Sequence, residues 1–147
     1  MVERVSLEPA GPRGAPNGTL PIWLRLLALL LTAAEPLGLA WSVSGLVPTL
    51  GFRGAGVALL LAARVLVTGF GVAAGLAIFG RRPHAVRLAA AALVLLGASA
   101  LVSLLTPVLP TNLPPDLRAP VAVAVTIYYG AWLAYLRLSR RVRRLFE

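Results

Sequence analysis

The sequence predicts an all-α integral membrane protein, a four-helix bundle with its N and C termini both in the cytoplasm. Three observations carry that prediction. Of 147 residues, 59% are hydrophobic and only 13% are charged. A soluble domain is roughly half apolar and a quarter charged. The apolar residues also gather into runs of about 20, the length a helix needs to cross the hydrocarbon. Finally, the arginines cluster at the ends of those runs, where membrane topology is set. Lipid gives the backbone no hydrogen-bond partners, so runs of this kind must be helical. The short alternating segments of a membrane β-barrel do not occur in this chain.

Net charge narrows the function classes. The formal charge is +9 and the pI is near 11.8. In a soluble protein that would point to nucleic acid. Here every basic residue is arginine, and topology accounts for their positions, so no nucleic-acid partner is expected. Cysteine is absent, which removes disulfides, thiolate metal sites and cysteine nucleophiles. One histidine and five acids leave little material for a catalytic constellation.

Residues 1–20 are rich in Pro, Gly and short polar side chains and read as a flexible tail. The four-helix domain then covers 21–138. Its first helix spans about 22–46. Trp23 and Trp41 would lie about 27 Å apart along it, the separation of the two aromatic belts of a bilayer. A secretory signal is the rival reading of this run. The long tail, Arg25 and Glu35 all argue against it.

A turn with Pro48 and several glycines leads to the second helix, about 57–80. It carries Arg64 near its middle. It also carries Gly71 and Gly75, a small-xxx-small pair that lets helix backbones approach closely. Packing within the chain and dimerisation are both open uses of that pair. Arg81, Arg82, Pro83, His84 and Arg87 mark a tight turn into the third helix, about 85–106. Ser99, Ser103 and Thr106 share one face of it, suited to bonding backbone carbonyls or neighbouring helices.

Four prolines make 107–115 an irregular loop. The fourth helix spans about 116–138, with Asp116 as its expected N-cap and Pro120 in its first turns. Tyr128, Trp132 and Tyr135 share a face that suits packing or the headgroup region better than a cofactor. Residues 139–147 are expected to prolong this helix as a basic amphipathic extension. Its apolar stripe would be Tyr135, Leu138, Val142 and Leu145.

Orientation follows from arginine counts. Arg4, Arg13 and Arg25 precede or open the first run, and Arg81, Arg82 and Arg87 fill the second turn. Arg137, Arg140, Arg141, Arg143 and Arg144 close the chain. With four crossings all of these fall on one side, and only Arg53 and Arg118 fall on the other. The richer side is the cytoplasmic one. The same arginines are topogenic, or hold anionic lipid headgroups at about 1 kcal/mol each near the surface.

Glu35 and Arg64 are the ionisable residues well inside the apolar runs. They lie about 20 Å and about 24 Å from the cytoplasmic ends of their helices. A charge near mid-bilayer costs roughly 2.5–3.5 kcal/mol, so the two are expected to pair. Pro36 has no N–H and frees the Thr32 carbonyl one turn back, which the Arg64 guanidinium would also cap. An ion pair that pins a kink is the structural reading. A functional ion or proton site is the alternative, since transporters also set carboxylates beside broken helices.

Phe79, Gly80, Arg81 and Arg82, the proline-containing loop, and the run from Tyr135 through Ser139, Arg140, Arg141, Val142 and Arg143 to Phe146 resemble the domain-of-unknown-function 2569 family. The resemblance covers about residues 20–147 and is strongest in the last 20. It implies a small four-helix protein of the bacterial inner membrane and brings no catalytic residues. The family's aromatic pair before the second turn is reduced here to Phe79. Its Trp-Ile-Pro-Tyr-like approach is Trp132, Leu133, Ala134 and Tyr135 in this chain.

The expected function is therefore non-enzymatic: an accessory or scaffold subunit that packs against other integral membrane proteins, itself or lipids. The alternative is a small oligomeric transporter or channel built around Glu35, Arg64 and the third helix's hydroxyls. No cofactor or metal is expected. A lone His84 in a turn is a solvated interface residue sooner than a haem or pigment ligand.

Overall fold

In the computed structural model, residues 20–44, 54–106, 114–140 and 142 are described. The N-terminal tail, the first turn, most of the proline-rich loop, and Arg141, Arg143 and Arg144 lie outside them. The described residues form four helices and no strand. These are α1 Ile22–Ser44, α2 Ala55–Phe79, α3 Ala85–Leu105 and α4 Pro115–Leu138, each long and apolar enough to cross a membrane. Apolar side chains such as Leu59, Leu66, Val94, Leu105, Val123 and Ile127 are exposed around the outside. In water that much apolar surface would associate, whereas hydrocarbon solvates it.

Prolines and glycines set the helix ends. Pro21 and Pro114 hold extended ψ angles just before α1 and α4. Pro114, not Asp116, is the N-cap of α4; Asp116 sits in the first turn, where its charge faces the positive end of the helix dipole. The α2–α3 turn is tight. Arg82 N–H donates to the Ala77 carbonyl (3.0 Å) and Arg81 N–H to that of Ile78 (3.1 Å). This pair of bonds satisfies the last carbonyls of α2. It requires a left-handed residue, and Arg81 supplies it at φ 48°. His84 repeats the conformation at φ 68° just before α3.

Pro36 does not kink α1 as an open break. Residues Leu30–Ala34 widen into one π-helical turn, and Glu35 N–H donates to the Leu30 carbonyl five residues back. The helix runs on through the wider turn to Ser44.

Contacts run between consecutive helices, α1 with α2, α2 with α3, and α3 with α4; α1 and α4 meet only sparsely. The core lies toward one end. Leu24, Leu27 and Leu31 of α1 cluster with Ile78, Leu93 and Leu136. This is the end that carries Arg81, Arg82, Arg87 and Arg137, and we call it the basic end. Toward the other end burial thins, with Val57 the buried residue of α2 before Thr68. Glu35–Ser44 contains no buried residue, and α3 has none beyond Gly97.

Past α4 the helix is interrupted at Ser139, and Arg140 and Val142 are helical again; the rest of the expected amphipathic extension lies outside the described residues. Ser139 has an extended ψ of 103°, which ends the helix. Its hydroxyl oxygen then accepts the Val142 N–H at 3.4 Å. Val142 is fully buried in the core cluster while Leu138 is exposed, so the segment turns in over the basic end. The stripe read from spacing is broken there, because Ser139 resets the helical phase.

Gly71 and Gly75 serve packing within the chain. A Cβ on Gly75 would meet Thr32 Cγ2 at 2.6 Å and the Ala28 carbonyl oxygen at 2.9 Å. On Gly71 it would meet only the end of the Leu96 side chain, at 3.2 Å. Gly38 and Gly69 face open space. Gly75→Ala should therefore destabilise the protein by about 1–3 kcal/mol through overpacking against backbone. Gly38→Ala and Gly69→Ala should be neutral or stabilising by up to about 1 kcal/mol, from helix propensity. Unfolding in mixed detergent micelles measures the difference; equal effects at all three sites would contradict this packing.

A polar cavity between the helices

One face of each helix can be followed by steps of three and four residues. On α1 it reads Leu24, Leu27, Leu31, Glu35, Gly38, Ser42. On α2 it reads Ile78, Gly75, Gly71, Thr68, Arg64, and on α3 Ala85, Ala89, Ala92, Leu96, Ser99, Ser103. All three faces are apolar or small at the basic end and polar beyond it. The helices run antiparallel, so the changes fall at one level. A cavity of ≈ 170 Å³ opens there. Glu35, Ser42, Arg64, Thr68, Ser99 and Tyr129 line it.

Tyr129 is the side chain that closes this site from α4. Its hydroxyl donates to Glu35 Oε1 at 2.8 Å, across 94 residues of sequence. Because α1 and α4 otherwise meet sparsely, this bond is a main tie between the first and last helices. Two features aim the ring. Gly97 lets it lie against α3, where an added Cβ would sit 3.2 Å from Tyr129 Cγ. Tyr128 packs edge-on against it, with ring centroids 5.1 Å apart.

Arg64 lines the same cavity as Glu35, but its hydrogen bond goes elsewhere. Nη1 donates to Ser103 Oγ at 3.4 Å, a long bond. Ser103 is about 3 Å of helix rise from the end of α3. The guanidinium thus bonds α3 rather than Glu35. The expected direct ion pair is replaced by two separate contacts, Glu35 with Tyr129 and Arg64 with Ser103. Expected capping of the kink by Arg64 also gives way to the π-turn. The length of the arginine side chain lets its head reach Ser103 from a backbone position that also lines the cavity.

The hydroxyls bond their own helices. Ser99 donates to the Leu96 carbonyl at 2.9 Å and Ser103 to that of Ser99 at 2.7 Å. Ser42 donates to the Gly38 carbonyl at 2.9 Å and Thr32 to that of Ala28 at 2.8 Å. Of these, Ser42 and Ser99 line the cavity; their donors are spent, so they offer it oxygen acceptors. With the second oxygen of Glu35 and the remaining guanidinium donors, the space suits water, and it is roomy enough for several molecules.

The other expected residues lie apart from this cavity. Arg81, Arg82, Arg87, Arg137 and Arg140 are exposed at the basic end. His84 is exposed in the turn. No family model, curated protein or solved structure matches the chain.

Tyr129 and Gly97 were not singled out by the sequence, although both carry the site. The available signal was spacing: Tyr129 is two helical turns from the buried Leu136, on the inner side, and Tyr128 is not. Tyr129→Phe should cost about 1.5–3 kcal/mol by stripping a carboxylate of its donor. Glu35→Leu combined with Tyr129→Phe should cost less than the two single losses added, by about 0.5–3 kcal/mol. Strict additivity in detergent unfolding would show that the bond does not hold α4.

Proposed function

We propose that the protein is a non-enzymatic, multi-pass protein of the bacterial inner membrane, an accessory or scaffold subunit that packs against another integral membrane protein. Both termini lie in the cytoplasm in this reading, because the basic end gathers the arginines. The carrying observation is the uneven core. Beyond Leu31, Thr68 and Gly97, Val57 is the one buried residue among the described parts of the helices. α4 buries only Leu136. Helices in lipid associate by close packing, and the far halves of these four have little of it within the chain. A partner's helix would supply it. The resemblance to the domain-of-unknown-function 2569 family supports the same cellular placement.

The polar cavity favours a second reading, a small transporter or channel that uses Glu35 as an intramembrane ion or proton site. One four-helix protomer encloses too little for a complete path, so this reading requires an oligomer. Extraction of the tagged protein from its native membranes in mild detergent, followed by mass spectrometry, separates the two. A stoichiometric, larger membrane protein supports the accessory role. A homo-oligomer without other subunits supports transport, and a lone monomer contradicts both.

A further inference from the structure

A second cavity, of ≈ 270 Å³, lies along the α2–α3 seam. No residue of α1 or α4 lines it, so it opens on the outside of the bundle. Its walls are Leu60, Ala63, Val67, Leu95, Ala98 and Val102. The alanines thin the seam and leave a furrow, which from Leu95 to Ser103 runs about 12 Å along α3. Its mouth is polar: Ser103 and Thr106 lie at the end opposite the basic end, and the Arg64 guanidinium reaches Ser103. Arg64 has five N–H donors, and its one hydrogen bond among the described residues is the long one to Ser103. Both nearby hydroxyls donate to backbone carbonyls, Ser103 to Ser99 and Thr106 to Val102. Among the described residues, the mouth therefore presents a cation with spare donors and no carboxylate. Glu35 faces the other cavity and bonds Tyr129.

We propose that this furrow binds one anionic glycerophospholipid of the leaflet at that end. Its phosphate diester takes the Arg64 guanidinium, and one acyl chain lies between Ala63 and Ala98. A guanidinium matches a phosphate with two parallel charge-assisted bonds, which is more than the single serine contact offers it. The apolar length below the head suits a hydrocarbon chain and no soluble anion. The assignment rests on the membrane placement proposed above, and it gives the lipid partner a site distinct from the terminal arginines.

The test uses full-length protein, purified in mild detergent, with phosphatidylglycerol as the probe. Native mass spectrometry counts bound phospholipid, and thermal melting records stabilisation by added phosphatidylglycerol. The unmodified protein should hold one phospholipid that Arg64→Gln loses, with the phosphatidylglycerol-induced rise in melting temperature lost too. Ala98→Leu fills the furrow without touching the charge and should lose the same lipid; it decides the matter if Arg64→Gln does not fold. Glu35→Gln should retain the lipid. Equal lipid occupancy and equal stabilisation in the unmodified protein and the Ala98→Leu variant would overturn the site. If inorganic phosphate stabilises as well as phosphatidylglycerol does, the occupant is an anion rather than a lipid, and the proposal also fails. Carbonate-washed membranes read the underlying premise separately: protein released by the wash would refute membrane insertion itself.

Discussion

A polar side chain inside hydrocarbon must be satisfied by the fold, because the solvent will not do it. The bond from the Tyr129 hydroxyl to Glu35 is where that constraint shapes this protein most. It ties the last helix to the first, which otherwise scarcely touch. It also explains why Gly97 sits where it does, since any side chain there would push the tyrosine ring away from the carboxylate. Arg64 meets the same constraint differently. Its length lets the guanidinium reach Ser103 on α3.

The same constraint divides the bundle into two halves. At the basic end the inner faces carry leucine, alanine and glycine, and the backbones come close; Gly75 against Ala28 and Thr32 is the tightest example. Beyond Leu31 and Leu96 those faces turn to carboxylate, guanidinium and hydroxyl. Such groups pack less densely and hold space open. The π-turn of α1 lies at the border, where Pro36 removes a donor and the backbone widens. One half is thus closely packed. The described part of the other has a polar centre and a furrowed outer seam.

The number and class of helices were legible in the sequence, because hydropathy and length alone decide them. Helix rise also brings Glu35 and Arg64 to a similar level along the bundle, and both line one cavity. Their partners were not legible. Depth brings two charges to a similar height, yet the rotation of each helix and the reach of each side chain decide contact. Rotation was in fact written in the three-and-four spacing of the inner faces, and it points to Tyr129. The broken extension after Ser139 has a different cause. Spacing continued the stripe to Val142, but only the buried position of Val142 reveals that the chain folds in over the core. The π-turn was also hidden, because a proline in a helix permits several local repairs.

We propose a bundle that is dry at its arginine-bearing half and wet beyond it, with the wet half facing out of the cell. The chain has no cysteine, so single cysteines can be placed on an unaltered background. Labelling of Ser99→Cys and Leu31→Cys in whole cells, by a membrane-impermeant thiol reagent added outside, tests the claim most directly. The account predicts rapid modification at position 99 and none at position 31. Equal labelling of the two, or protection of both, would contradict it.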